Sequence, residues 1–301
     1  MLCSLSYHPL IVAGADGLEA GNGAASLAAG AFPMSAITPN SFIRRHFVWM
    51  FFYPLLCDSA HPQINTMLAP LRFCSQYANS MHLSDDNNIL CFDGGIRNDL
   101  NLNAFTKLND KGYFVMRSPG GNIITAMQMA NILFEKRAIV IIYDYCLSAC
   151  ANAIFVASGN TYVADNTIVA WHRGVPKVTC GAIIIPADVN KVEYKRQVDN
   201  YNEYCKHIEL LSDFYKRRNI DDGITYQPPT THTRQIFQLA VRQALNKNNV
   251  FWMWNPANFN ADLKTKITFQ SYPDSQEAVD QLIRRLRLPM RAIYDPPTIM
   301  P

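Results

Sequence analysis

Ala138-Ile-Val-Ile-Ile-Tyr-Asp-Tyr-Cys-Leu-Ser-Ala-Cys-Ala-Asn-Ala-Ile-Phe-Val-Ala157 is the stretch that decides the fold. It opens on a β-branched apolar run, residues 138–143, of the kind buried on both faces of a parallel sheet. Residues 149–157 are small and apolar and read as a helix. Between the two lies the elbow Cys146-Leu-Ser-Ala-Cys150, where Ser148 sits as the strand turns into the helix with its hydroxyl exposed.

Reading outward, the neighbouring segments repeat the same alternation. Gly112-Tyr-Phe-Val-Met-Arg117 reads as a strand that ends on Ser118-Pro-Gly-Gly121, and residues 125–136 then put Ala126, Met129, Ala130, Leu133 and Phe134 on one helical face. Further upstream, Asn88-Ile-Leu-Cys-Phe92 ends at Asp93-Gly-Gly-Ile96, and residues 101–108 have helical spacing. Downstream, Ser158-Gly-Asn160 leads to strands at 161–164 and 168–171, and His172 follows within Val169-Ala-Trp-His-Arg-Gly174. Strand alternating with helix predicts right-handed crossovers and an α/β layer fold.

Three features fall at the carboxyl ends of these strands, where ligands of parallel sheets bind. Glycine in Ser118-Pro119-Gly120-Gly121 permits positive φ and close approach, so a backbone N–H can point into a cleft. Ser148 stands at the elbow, and the N–H of Ala149, in the first helical turn, has no intrahelical partner and is available to an oxyanion. His172 reaches the same cleft from the next strand. That is the nucleophile and base arrangement of acyl transfer. Taken singly, each has a plainer reading, as a turn, an N-cap and a structural histidine; their joint order is what points to chemistry.

Composition bounds the rest. A chain of 301 residues with 49% hydrophobic and 17% charged residues can bury a sizeable core. A net charge of +3 without a Lys/Arg block argues against a nucleic-acid partner. Residues 1–60 form an N-terminal extension. Within 34–60, Arg44-Arg45-His46, the apolar run from Phe47 to Cys57 and the small pair Ser59-Ala60 match a secretory signal peptide, too short to span a membrane. Translation is then expected to start at Met34 and the product to be exported, to the periplasm; a cytoplasmic or membrane-associated protein with a buried apolar segment is the alternative. Past that leader lie Cys74, Cys91, Cys146, Cys150, Cys180 and Cys205, an even set that permits three disulfides of open connectivity. Cys146 and Cys150 read first as small buried hydrophobes supporting the elbow, with a local disulfide as the other reading. No pair has metal-ligand spacing, and neither a metal nor a cofactor is expected.

Ser118-Pro-Gly-Gly121 followed by an Ala/Met-rich helix, Ser148 in its Cys-x-Ser-Ala-Cys elbow and His172 two dozen residues on resemble the ClpP-type serine peptidases of the ClpP/crotonase superfamily, and among them the exported branch with cysteines around the serine. The resemblance covers residues 86–250, with 61–85 as a linker before it and 251–301 as a C-terminal segment after it. It implies a repeated β-β-α spiral with parallel strands and outer helices. It also implies a serine endopeptidase with Ser148 as nucleophile, His172 as base, and an oxyanion hole from Gly120, Gly121 and Ala149. The family's acid follows a long helix, here residues 188–218. Asp221 fits by count, with Asp222 and Asp213 as alternatives; by order of elements the position before the last helix, 234–246, is Thr230-Thr-His-Thr233, which holds no carboxylate.

Two other readings stay open beside it. A Ser-Lys dyad of the signal peptide peptidase A type would draw on Lys177 or Lys191, and a catalytically silent member would serve as a binding or assembly module. The crotonase side of the superfamily gives no reason for a serine at the elbow. The resemblance implies a peptide or unfolded protein as substrate and a homo-oligomer. In the C-terminal segment, Phe251-Trp-Met-Trp254 reads as core or subunit interface. Residues 275–288 form an amphipathic helix for packing or oligomer contact, with too few arginines to argue strongly for a membrane surface.

Overall fold

A computed structural model of the chain describes residues 62–172, 191–221, 223–259 and 265–296. These lie in one compact unit, Leu55–Pro301. The stretch 34–60 read as a leader lies outside the described residues, as do Lys177, Cys180 and Asp222.

In chain order the elements are α1 (Pro62–Cys74), β1 (Met81–Leu83), β2 (Ile89–Asp93), α2 (Asn103–Lys107), β3 (Tyr113–Ser118), α3 (Ile123–Glu135), β4 (Ile139–Leu147), a π-helical turn (Cys150–Phe155), β5 (Asn160–Val163) and β6 (Ile168–Ala170). There follow α4 (Lys191–Arg217), α5 (Gly223–Tyr226), α6 (Thr231–Gln243), β7 (Val250–Met253), α7 (Pro256–Phe259), β8 (Lys266–Phe269), α8 (Gln276–Leu286) and β9 (Arg291–Tyr294). The architecture is α/β. A mixed sheet of seven strands runs β1-β2-β3-β4-β5-β8, with β6 also on β4; β1 is antiparallel and the other pairings are parallel.

Alternation along the strands sends two sets of side chains to opposite faces. Leu90, Phe114, Met116, Val140 and Ile142 meet Phe105 of α2 and Ala126, Met129 and Leu133 of α3 in the main core. Cys91, Val115, Ile141 and Tyr162 face the other way, onto Cys74 and Leu71 of α1. The stretch 61–85, read as a linker, therefore holds a helix and an edge strand packed into the fold, and Cys74–Cys91 ties that helix to β2. The break drawn at residue 250 falls at the start of β7, which pairs in parallel with β9, while β8 joins the main sheet beside β5. The amphipathic helix α8 buries Val279, Leu282 and Ile283 with Phe251, Met253 and Ala292 of that small sheet.

Helix starts follow their caps. The side chain of Asn122 accepts from the N–H of Thr125 at 2.9 Å, so α3 begins at Ile123, ahead of the first residue of its apolar pattern. Thr230 caps α6 in the same way, accepting from the N–H of Thr233 at 3.1 Å. Strand β4 forks: Val140–Ile142 pair with β5, and Tyr145–Leu147 with β6. Between the two halves the register with β3 shifts, from Met116↔Ile142 to Ser118↔Cys146. Asp144 takes a left-handed φ of 54° at this bulge.

Candidate functional site

The bulge aims the end of β4 at the site. Ser148, the first residue past the strand, has φ 54°, the left-handed region that a non-glycine residue enters at a cost. Its surroundings hold it there. The Ser148 N–H donates to the Ala170 carbonyl of β6 at 3.0 Å, and the Ser148 carbonyl accepts from the N–H of Asn152 at 2.8 Å. A disulfide between the fully buried Cys146 and Cys150 spans the elbow. This corrects the first reading of these two as unlinked small hydrophobes: in a turn only four residues long the strand-to-helix geometry brings their Cα atoms within 5.3 Å. The residues after the elbow pack as a π-helical turn rather than the plain helix expected over 149–157.

His172 comes to Ser148 with help from the C-terminal half of the chain. Trp171 and Trp252 exchange backbone hydrogen bonds at 2.9 and 2.8 Å, an antiparallel bridge that anchors the residue before the histidine. The Phe251 ring lies 4.6 Å from the imidazole. His172 Nε2 stands 2.6 Å from Ser148 Oγ. With the imidazole proton on Nδ1, the hydroxyl donates to Nε2, the geometry a general base requires.

The glycine loop leans directly on this elbow. A Cβ added at Gly120 would fall 2.5 Å from the Leu147 carbonyl oxygen and 2.7 Å from Ser148 Cβ, and φ at that residue is +88°. Gly121, φ +139°, is locked on its other side. Ile96 N–H donates to the Gly120 carbonyl at 2.8 Å, Asn122 N–H donates to the Ile96 carbonyl at 2.7 Å, and a Cβ at Gly121 would collide with that Ile96 carbonyl. The three candidate oxyanion donors are not equivalent. The N–H of Gly120 is engaged with Ser118 Oγ at 3.1 Å inside its own turn. The N–H groups of Gly121 and Ala149 have no acceptor among the described residues.

Of the three carboxylates proposed as the third member, Asp222 lies outside the described residues and the other two are not paired with the imidazole. Asp213 is exposed on α4, and Asp221 is exposed with Oδ1 accepting from the Gly223 N–H at 2.8 Å. Neither forms an ion pair with His172. The threonine-rich position before α6 is occupied by a carboxylate from far along the chain: the fully buried Asp295 accepts from Thr230 Oγ1 at 2.9 Å, Thr233 Oγ1 at 2.7 Å and Asn258 Nδ2 at 2.8 Å. It does not serve His172. Tyr294 is in register with Met253, whereas the antiparallel Trp171↔Trp252 bridge puts His172 at the opposite end of β7, beside Phe251.

Sequence reading also missed Arg117. Its guanidinium grips Asp93 with two bonds, Nε to Oδ1 at 2.8 Å and Nη2 to Oδ2 at 2.9 Å, and reaches Asp144 with Nη1 at 2.7 Å. Burial works against ionising Asp93, but Arg117 and the backbone N–H of Asn79 outweigh it and hold the carboxyl below its usual range. The signal was present in the sequence as an arginine in an otherwise apolar strand, one residue before the glycine loop.

Among the described residues, no group of three or more His, Cys, Asp or Glu is placed to hold a metal, and no helix is long and apolar enough to cross a membrane. No protein-family model matches the chain, and a search of the curated proteins finds no match either.

Proposed function

We propose that the chain is a serine hydrolase that cleaves peptide bonds. The observation that carries this is the 2.6 Å approach of His172 Nε2 to the hydroxyl of a serine in a left-handed elbow. The N–H groups of Gly121 and Ala149, both without a protein acceptor among the described residues, support the same reading. In the first half-reaction Ser148 Oγ attacks the scissile carbonyl carbon while its proton passes to Nε2. The carbonyl oxygen becomes an oxyanion that Gly121 and Ala149 stabilise. Collapse breaks the C–N bond, Nε2 returns the proton to the leaving amine, and an acyl-serine remains. Water, deprotonated by the same nitrogen, then releases the acid and restores the serine.

The finer architecture is part of the proposal: a ClpP/crotonase-type spiral that assembles as a homo-oligomer and takes peptides or unfolded chains. Two closed disulfides, with Cys205 also disulfide-bonded, support an oxidising compartment and hence export. One observation favours a second reading, the catalytically silent module: neither Asp213 nor Asp221 is brought to the imidazole.

Fluorophosphonate labelling of the purified chain separates the two. The wild type is expected to label, Ser148→Ala not at all, and His172→Ala more slowly by roughly 10³-fold, the usual contribution of a positioned base. A folded wild type that does not react would leave the silent module as the reading to pursue.

A further inference from the structure

We infer that Arg117 is a positioning residue for the oxyanion loop, clamping β2 and β4 to β3, the strand that ends on that loop; this rests on the serine-hydrolase reading above. Each arm of the clamp leads to a different part of the cleft. Arg117 itself is one residue before Ser118-Pro119-Gly120-Gly121. Asp93, which it holds with two bonds, ends β2 and leads through Gly94-Gly95 to Ile96, the residue hydrogen-bonded on both sides of Gly121. Asp144, held by the remaining nitrogen, is the left-handed residue of the bulge at which β4 leaves β5 and turns toward β6 and Ser148.

The bulge makes such a clamp necessary. Between Met116 and Ser118 strand β3 advances two residues while β4, from Ile142 to Cys146, advances four, so the ladder cannot itself fix how far Ser148 lies from the glycine loop. Backbone contact there is close, with Gly120 leaving no room for a Cβ against Leu147 and Ser148. A fork with fixed geometry can set such a spacing, whereas a point charge on a flexible stem cannot. Asp93 is nearly sealed from water, with a side chain 3% exposed, while Arg117 and Asp144 remain 27% and 32% exposed. The guanidinium also stands 5.4 Å from the Tyr143 ring, which limits its swing. Arg117 touches neither Ser148 nor His172; it acts by holding Gly121 and Ala149 at the distance an oxyanion needs, and a misplacement of about 1 Å at such donors costs on the order of 10²-fold in rate.

The test is the fluorophosphonate labelling rate, measured across pH at a temperature where circular dichroism reports every variant folded. Arg117→Met is expected to label about 100-fold more slowly and Arg117→Lys about tenfold, with the midpoint of the pH–rate profile unmoved because the base is unchanged. Removing the buried partner's cation can prevent Arg117→Met from folding. Asp144→Gly then decides, since glycine keeps the left-handed backbone and the change detaches only the partly exposed arm, with about a tenfold loss expected. Asp144→Asn, which keeps an acceptor and tolerates the left-handed backbone, is expected to restore most of the rate. Arg137→Met, which breaks an exposed pair with Asp110 far from the loop, serves as the control and should leave the rate unchanged.

Wild-type labelling with Asp144→Gly and any folded Arg117→Met equal to it would overturn the inference alone and leave Arg117 a structural ion pair. A shift of the pH midpoint in step with the rate would overturn it too, because the arginine would then be acting on His172 through its charge. An unlabelled wild type would overturn the hydrolase reading and the inference with it.

Discussion

Cys74–Cys91 and Cys146–Cys150 cross-link the chain on two very different scales, 17 and 4 residues apart. The longer one joins α1 to β2 on the sheet face away from α2 and α3, where the local core is a small cluster around Val115, Ile141 and Tyr162. The shorter one encloses Ser148. Closing a loop removes entropy from the unfolded chain in proportion to the logarithm of its length, about 3 kcal/mol for the first and about 2 kcal/mol for the second. The main core that covers Cys146 and Cys150 is already extensive, so a local bridge there adds little to holding the fold. Its distinctive effect is on one backbone angle, the left-handed φ of the serine. One disulfide stabilises a layer, and the other a conformation.

Removing each bridge should show that difference, and the larger effect is expected from the longer loop. Cys74→Ala with Cys91→Ala should lower stability by about 3 kcal/mol, a fall in melting temperature of roughly 6–12 °C for a unit of this size. The fluorophosphonate labelling rate below the transition should stay within about twofold of wild type, because neither cysteine touches the elbow. Thermal denaturation and labelling on the same preparation check both halves. A large loss of labelling in a folded variant would mean that α1 supports the site as well as the sheet.

Cys146→Ala with Cys150→Ala should give the reverse pattern. Stability should fall by about 2 kcal/mol or less, while labelling slows by about tenfold or more as Ser148 relaxes from an angle worth roughly 1–2 kcal/mol of strain. Equal losses in the two double variants would erase the distinction between a layer and a conformation.

The sequence reading and the structure part company along the same line of local against distant. The strands around Ser118, Ser148 and His172 were legible because each is a short apolar run bounded by glycine or polar turns, and each carries its chemistry at its own end. The 2.6 Å serine–histidine pair follows from that order of elements. What stayed hidden depends on partners far along the chain. Nothing near Trp171 foretells that Trp252 will bridge it, and nothing near Thr230 foretells a carboxylate arriving from Asp295, because pairing across such distances is set by the packed whole. The stretch 61–85 reads as a linker for a related reason: its helix has a weak apolar pattern and is secured by a covalent bond to Cys91. A count of residues from the histidine points to Asp221, and counting cannot register that its carboxylate accepts from the Gly223 N–H at the start of α5.

The smallest expected effect tests whether the layer held by Cys74–Cys91 has an ionic fastening beside the covalent one. Asp93 stands two residues after Cys91 on the same face, and its Oδ2 accepts from the N–H of Asn79, in the loop that follows α1, at 2.6 Å. In the unfolded chain the carboxyl titrates at its ordinary value near 3.8, and in the folded protein Arg117 and Asn79 keep it lower despite burial. Between those two values the unfolded chain holds the extra proton, so stability must fall as pH falls. The contribution is complete above the unfolded value and lost once the pH passes below the folded one. Urea titrations at a series of pH values should therefore show wild type losing about 1 kcal/mol more than Asp93→Asn on acidification from neutrality through pH 3.8 and below, the scale of a partly exposed ion pair. The variant should have the flatter profile, and the two curves should converge at the acid end. Parallel curves would mean that Asp93 does not titrate with folding, and that the disulfide holds α1 and its loop to β2 without ionic help.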